Sequence, residues 1–253
     1  MKISTISNKT GGVLAALLWL TVWQAAAMTV GQAVLLASPA DTLAALMRLV
    51  GQGDFWASVG FSLARIACGF LLAVSLGSLL GACAAHSRLL KTLLSPLLAV
   101  IKATPVASFI IVALIWVSSR GLSVLISFLM AFPVIYLNMA EGVEQLSPEL
   151  CEMSRLFRVP FFRRVRYFYL PELLGRFYAA CAAALGLSWK AGIAAEVIGI
   201  PTGSLGEKLY EAKVYLNTPE LFAWTLVIIA LSVLTEKLVL CLLRMLSEKG
   251  GRM

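Results

Sequence analysis

Residues 148–171, PELCEMSRLFRVPFFRRVRYFYLP, carry five arginines, Arg155, Arg158, Arg163, Arg164 and Arg166, between long apolar runs. Guanidinium groups stay charged and act through charge-assisted hydrogen bonds, so the chemistry on offer is docking, to a partner protein or to anionic lipid. Such a patch cannot enter a lipid core, and beside apolar runs it belongs on the cytoplasmic side of a membrane. Of the ionisable side chains in or at the ends of apolar runs, Lys102 is expected to mark the cytoplasmic end of its run, while Arg65, Lys190 and Glu196 lie deeper, where each marks a functional site by default. Other chemistry is poorly supplied. His86 is the one histidine, the carboxylates are scattered, and Cys68, Cys83, Cys151, Cys181 and Cys241 show no C-x-x-C spacing. Neither a catalytic cluster nor a metal site is expected. The absence of G-x4-G-K-[ST] likewise excludes a nucleotide-binding phosphate loop, so no cofactor is expected on this chain.

Local signals divide the arginine patch into two short helices. Ser147 is suited to the N-cap and Pro148 to the first helical position, while Glu149 and Glu152 complement the positive end of the helix dipole. At 100° per residue, Leu150, Met153 and Phe157 share one narrow face, and Glu149, Glu152, Arg155 and Arg158 fan out opposite. That is a one-face docking helix. Val159-Pro160 should end it, and Pro171 should close a second helix over 161–170.

The elements around the patch must cross a bilayer. Of 253 residues 60% are hydrophobic and 13% charged, and the mean hydropathy is +0.90, values of an integral membrane protein. The net charge of +8 then reads as topology, and nucleic-acid binding is excluded because so little polar surface surrounds the basic residues. Six apolar runs, about 13–30, 56–85, 95–117, 122–139, 173–200 and 221–243, make one all-α membrane domain over residues 1–253. Trp19 and Trp23 suit an uncleaved first span; the competing reading is a signal peptide cut after Ala25-Ala26-Ala27. Ser38-Pro39-Ala40-Asp41 starts a short surface helix with Leu43, Leu46, Met47 and Val50 on its apolar face, ended by residues 51–54. Gly69, Ala73, Gly77, Gly81 and Ala85 fall every fourth residue in the second span, a ridge that lets another helix approach closely. Pro96 and Pro105 are expected kinks in the third span, residues 118–121 a tight turn, and Pro133 a kink or break in the fourth. Residues 201–209 read as a loop, and Thr218-Pro219-Glu220 as the cap of the sixth span. With both termini inside, thirteen of the basic residues fall on the cytoplasmic side and four outside, as the positive-inside rule requires.

The patch resembles the cytoplasmic "EAA" loop, E-A-A-x3-G-x9-I-x-L-P, of the permease subunits of ATP-binding-cassette importers. Glu152 takes the glutamate place and Leu170-Pro171 the terminal L-P at the correct distance. Met153-Ser154 replace the alanines, Phe168 the isoleucine and Arg158 the glycine. Glycine enters a left-handed turn freely where other residues are strained, and Pro160 offers another route to the turn. Ser62, Leu63, Arg65, Gly69 and Phe70, in S-L-x-R-x-x-x-G-F, are similar to the nitrate, sulfonate and taurine branch, and Gly203 to Leu209 is similar to the segment after the fifth span of these permeases. The resemblance implies a six-span type I importer fold in a bacterial inner membrane, with a coupling helix seated on an ATPase subunit. It also implies an ATPase dimer as partner, where ATP binds, together with a second permease copy and an extracytoplasmic solute-binding protein. Leu150, Glu152, Met153 and Phe157 would sit at the groove, with Arg155 and Arg158 as flanking charges and Leu170-Pro171 closing the loop.

In such a permease the in-span residues bear on the translocation path. Lys190 and Glu196 lie 240° apart around a helix, so each needs its own partner. Lys190 facing the path would favour anionic solutes; the alternative is an ion pair with an acid on another helix. Arg65, in the outer half of its span, needs a partner or water. Pro105 and Pro133 are candidates for the path because irregular backbone at membrane depth is tolerated where it lines a cavity, although prolines are also ordinary in membrane helices. Sulfonates, taurine, nitrate and vitamin precursors all remain open as solutes. Two other classes stay in view, the membrane subunit of an energy-coupling-factor vitamin importer and a secondary transporter, although no internal repeat of the kind expected for the latter is found.

Overall fold

The computed structural model describes residues 8–146, 152–153, 156–160, 163 and 170–251. All regular structure among them is helical: α1 Asn8–Val30, α2 Pro39–Val50, α3 Gly53–His86, α4 Arg88–Ala103, α5 Val106–Ala113, α6 Ser119–Glu144, α7 Leu170–Gly199, α8 Leu205–Val214 and α9 Thr218–Gly251. Five of these, α1, α3, α6, α7 and α9, are long and apolar enough to cross a membrane, and α4 with α5 adds a sixth if the bent pair counts as one span. In lipid every backbone polar group must find its partner inside the segment, which is why these runs are helices throughout.

The centre of the bundle is α3, α6 and α7. Gly69, Ala73, Gly77 and Gly81 are buried and face α6, as their four-residue period predicts, while Ala85 is only half-buried. The approach is close enough to exclude a side chain. A methyl group at Gly69 would collide with the Val124 carbonyl and come within 2.9 Å of Ser127 Cβ, and one at Gly81 would lie 2.6 Å from the Tyr136 carbonyl oxygen. On α7, Gly192 plays the same part against Ser127 of α6 and Ile66 of α3. Lipid tails are as apolar as leucine, so such close packing is a main source of helix association.

Peripheral helices are attached by fewer, more specific contacts. Only 6% of the apolar window of α1, and 6% of that of α9, is buried within the chain. The Trp23 indole donates to the Ala37 carbonyl at 3.0 Å, Trp23 packs on Phe222, and Phe55 stacks on Trp224. Trp189 donates to Thr235 Oγ1 at 2.8 Å, joining α7 to α9. Helix α2 begins as expected, with Ser38 accepting from the Asp41 N–H. Of its expected apolar face Leu43, Met47 and Val50 are exposed and Leu46 is half-buried against the core, while Thr42, Ala45 and Leu49 turn into the protein.

Several boundaries differ from the sequence reading. The third apolar run is broken more sharply than a proline kink: α4 and α5 meet at 105° across Thr104 and Pro105. Proline cannot donate to the preceding turn, and the residue before it is pushed out of the α region; Pro96, by contrast, lies within α4. Pro133 does not break the fourth span, for α6 is continuous through it. Residues 119–121 belong to α6 and Asp54 to α3, so the turns there are shorter than expected. Residues 201–209 are not all loop, because α8 starts at Leu205 behind a Ser204 cap that accepts from the Glu207 N–H. At the last helix Asn217 lies ahead of Thr218 and its Oδ1 accepts from the Glu220 N–H, while the Thr218 hydroxyl donates instead to the Val34 carbonyl at 2.5 Å.

Gly69→Ala should cost about 1–3 kcal/mol by overpacking this seam, read as a lowered unfolding temperature in detergent. Gly60→Ala, on the same helix with open space around it, should be neutral or stabilising by up to about 1 kcal/mol. Equal melting of the two variants would mean that the α3–α6 approach does not hold the bundle.

Candidate functional site

The ionisable and proline residues singled out above separate into three places. In the arginine patch, Leu150 and Arg155 lie outside the described residues, as do Ser147, Pro148, Glu149, Arg164, Arg166 and Phe168. Glu152 and Met153 are helical and exposed. The Phe157 N–H donates to the Met153 carbonyl at 3.0 Å, closing one helical turn. Leu156 is 81% and Phe157 72% exposed, so neither apolar side chain is covered by its own chain. The turn that follows is made at Arg158 itself, at φ +48°, the left-handed conformation expected of a glycine there. An arginine holds it at a cost of roughly 1–2 kcal/mol. Leu170 and Pro171 open α7, where a missing proline N–H costs nothing. The expected second helix over 161–170 falls largely on residues outside those described.

Arg65 and Glu196 belong to a second place, a buried node on the α3–α7 interface. Glu196 is fully buried. Its Oε2 accepts from the Ser62 hydroxyl at 2.6 Å and from the Gly206 N–H at 3.3 Å. Ser62 in turn accepts from the Leu205 N–H at 2.9 Å. One carboxyl thus ties α7 to α3 and satisfies the first turn of α8, whose opening N–H groups have no helical partner of their own. Glu196 Oε1, Ser123 Oγ and Arg65 Nη1 are buried without a hydrogen-bond partner among the described residues. The Arg65 guanidinium lies 3.6 Å over the Phe61 ring, a cation–π contact that offsets part of its desolvation. Ile200, at φ +46°, ends α7 beside this node in a conformation that usually needs glycine. Ser62 entered the sequence reading only through its branch pattern and residues 203–209 only as a family-like segment within a loop, so the bond between them was missed, although S-x-x-E at residues 204–207 is a helix-start signal.

The third place is an open face where α4 and α5 meet α6 and α7. Thr104 and Val106, on either side of Pro105, line a cleft of about 420 Å³ with Lys102, Pro133, Asn138 and Leu187. Lys190 is one helical turn beyond Leu187 on α7 and is exposed. Among the described residues no acid lies within ion-pair distance of it, so the expected alternative of an ion pair finds no support. Pro133 thus lines this cleft and Pro105 sits between two of its lining residues, while Lys190, three residues past Leu187, and Arg65 and Glu196 are not on its lining. Beyond the bundle's core, Asp54, Lys208, Glu211 and Glu220 rim a small cavity of about 180 Å³. There Glu211, 2.9 Å from the Lys208 ammonium, holds Lys208 above the ordinary lysine range. Among the described residues no group of three or more His, Cys, Asp or Glu is placed to hold a metal ion.

Glu196→Ala should destabilise the protein by about 1–3 kcal/mol, because it strands the Ser62 hydroxyl and the Gly206 N–H in the interior. Glu196→Gln keeps the shape and an acceptor and should lose less. Chemical unfolding in micelles checks the order, and equal losses would mean that the hydrogen bonds are not what the carboxyl supplies.

A Bacillus subtilis protein named for the permease of aliphatic sulfonates transport is 25% identical over 93% of this chain and 86% of its own length. A bicarbonate transport system permease protein of Synechococcus elongatus is 28% identical, over 64% of this chain and 58% of that protein. A nitrate import permease protein of Leptolyngbya laminosa is 30% identical, over 61% and 54% respectively. Residues 73–249, from the glycine seam of α3 nearly to the end of α9, match the family described as the binding-protein-dependent transport system inner membrane component. With its all-helical, multi-span architecture, the chain belongs to that family of inner-membrane permeases.

Proposed function

We propose that this chain is the membrane permease subunit of an ATP-driven importer for a small anionic solute. The observation that carries the proposal is Lys190, exposed within a span and unpaired among the described residues. A charge facing hydrocarbon at the bilayer centre costs at least about 2.5–3.5 kcal/mol, so this face of α7 turns to water or to protein. A cation there favours anions, and the relatives are named for aliphatic sulfonates, bicarbonate and nitrate. The solute of this chain is of that class, delivered from outside by a soluble binding protein.

Two copies of the chain place their open faces together around the path, with six spans each and both termini in the cytoplasm. The loop bearing Glu152, Met153, Phe157 and Arg158, together with Leu150, Arg155, Leu170 and Pro171, seats on an ATPase subunit, where the ATP is bound. The exposed Met153 and Phe157 side chains are the apolar contact and Glu152 the polar one. Closure of the ATPase dimer moves this short helix, and the spans rock between outward-open and inward-open states. The chain itself makes and breaks no covalent bond.

Lys190→Met should lower uptake of an alkyl sulfonate, nitrate or bicarbonate by about tenfold, the effect of losing ~1.4 kcal/mol of anion stabilisation, with Lys190→Arg retaining most of it. Unchanged uptake by the Met variant at equal expression rejects the path role. Glu152→Lys tests coupling separately: ATP hydrolysis by the assembled complex should persist without uptake, and normal uptake rejects the docking role of the loop.

A further inference from the structure

We propose that Lys102 forms a second anion station, in the cleft between the α4–α5 break and α6, which a transported anion occupies after leaving Lys190. The inference rests on the reading of the chain as an anion permease and adds a site to it. The cleft of about 420 Å³ is within the range of small-ligand sites. Lys102 is the one charged residue on its lining, and no acid among the described residues pairs with it. The remaining lining is apolar apart from Thr104 and Asn138. Thr104 donates its hydroxyl proton to the Val100 carbonyl at 2.8 Å, which leaves the oxygen as an acceptor only. Asn138 donates one amide proton to the Val134 carbonyl at 2.9 Å and keeps a second. The groups free to donate are therefore the Lys102 ammonium and one Asn138 N–H. That set suits a small oxyanion and offers nothing to a cation except neutral oxygens.

The neighbouring cleft fixes a direction. A second hollow of about 510 Å³ shares Lys102 and Leu137 with the first and continues along α4 and α6. Apart from the shared Lys102 it carries one cation and two carboxylates: Lys91 pairs with Glu144 at 2.6 Å, and Glu141 lines the same wall. An anion held at Lys102 thus meets a positive site on one side and carboxylates on the other. Weak, successive sites of this kind let an ion enter favourably and still leave. Leu187 of α7 is on the lining of the Lys102 cleft, and the exposed Lys190 follows it by three residues on the same helix.

The test is local potential at Asn138, read in inverted membrane vesicles holding the assembled importer. Asn138→Cys is placed in a cysteine-free background that retains uptake. It is reacted with two thiosulfonate reagents of similar size, one carrying an ethylsulfonate and the other an ethyltrimethylammonium group. The anionic reagent should react about tenfold faster, and Lys102→Gln should abolish that preference. Thr104→Cys serves as the second position should Asn138→Cys fail to assemble. A preference absent, or unaltered by Lys102→Gln, overturns the station. So does protection of the cysteine from both reagents, the result expected if a second copy of the chain fills the cleft. Lys190→Met in the same background separates the two ideas. A Lys102-dependent preference with uptake unaffected by Lys190→Met supports the station and rejects the Lys190 reading, and loss of uptake without the preference does the reverse.

Discussion

The contact on which the bundle depends is between two backbones. At Gly69 and Gly81 the α3 helix comes so near α6 that a single methyl group would meet a carbonyl oxygen. In water a bundle is driven together by removing apolar surface from solvent, but in lipid that gain is absent between helices, and close packing must supply the attraction. The seam therefore decides where everything else lies. It sets Ser62 and Arg65 of α3 against the end of α7, and Gly192 lets α7 settle into the angle between α3 and α6. Helices α1 and α9, which lack such a seam, keep their apolar surface for lipid or a partner chain.

Much of this was legible because lipid imposes simple rules on sequence. The spans declare themselves by length, and Gly69, Ala73, Gly77 and Gly81 declare a contact face by their spacing, though not that α6 is the partner. The α8 helix was not legible by hydropathy, because LGEKLYEAKV is polar and resembles a loop; its Ser204 cap and Glu207 were the available signal. Pro105 marked a bend, but the size of the bend depends on how α4 and α5 pack on α6 and α7, which no local rule contains. The Glu196–Ser62 bond joins residues 134 positions apart, and a single sequence carries nothing that pairs them. At Arg158 the departure from glycine was plain to see, whereas the retention of the left-handed turn, at φ +48°, was not.

Ionisable residues in a membrane are costly wherever they stand, and this chain handles them in two opposite ways. Glu196 is surrounded by donors, enclosed by three helices and tied to α8, so its removal strands partners. Lys102 and Lys190 have no such enclosure; their cost is met only if water, a solute or a second copy reaches them. The first arrangement spends polarity on rigidity and the second keeps it available. A permease needs both, since a path that changes access must be lined by loosely held groups but framed by helices that do not deform. The boundary between the two runs along α6 and α7: one face of each helix is sealed into the α3 seam or the node, and another looks onto the cleft at the α4–α5 break. A displacement of the α3–α6–α7 unit relative to α4 and α5 would alter that cleft while leaving the Glu196 node intact. The 105° break at Thr104 and Pro105 is the place in this region where such a displacement costs least, because the helical ladder is already interrupted there.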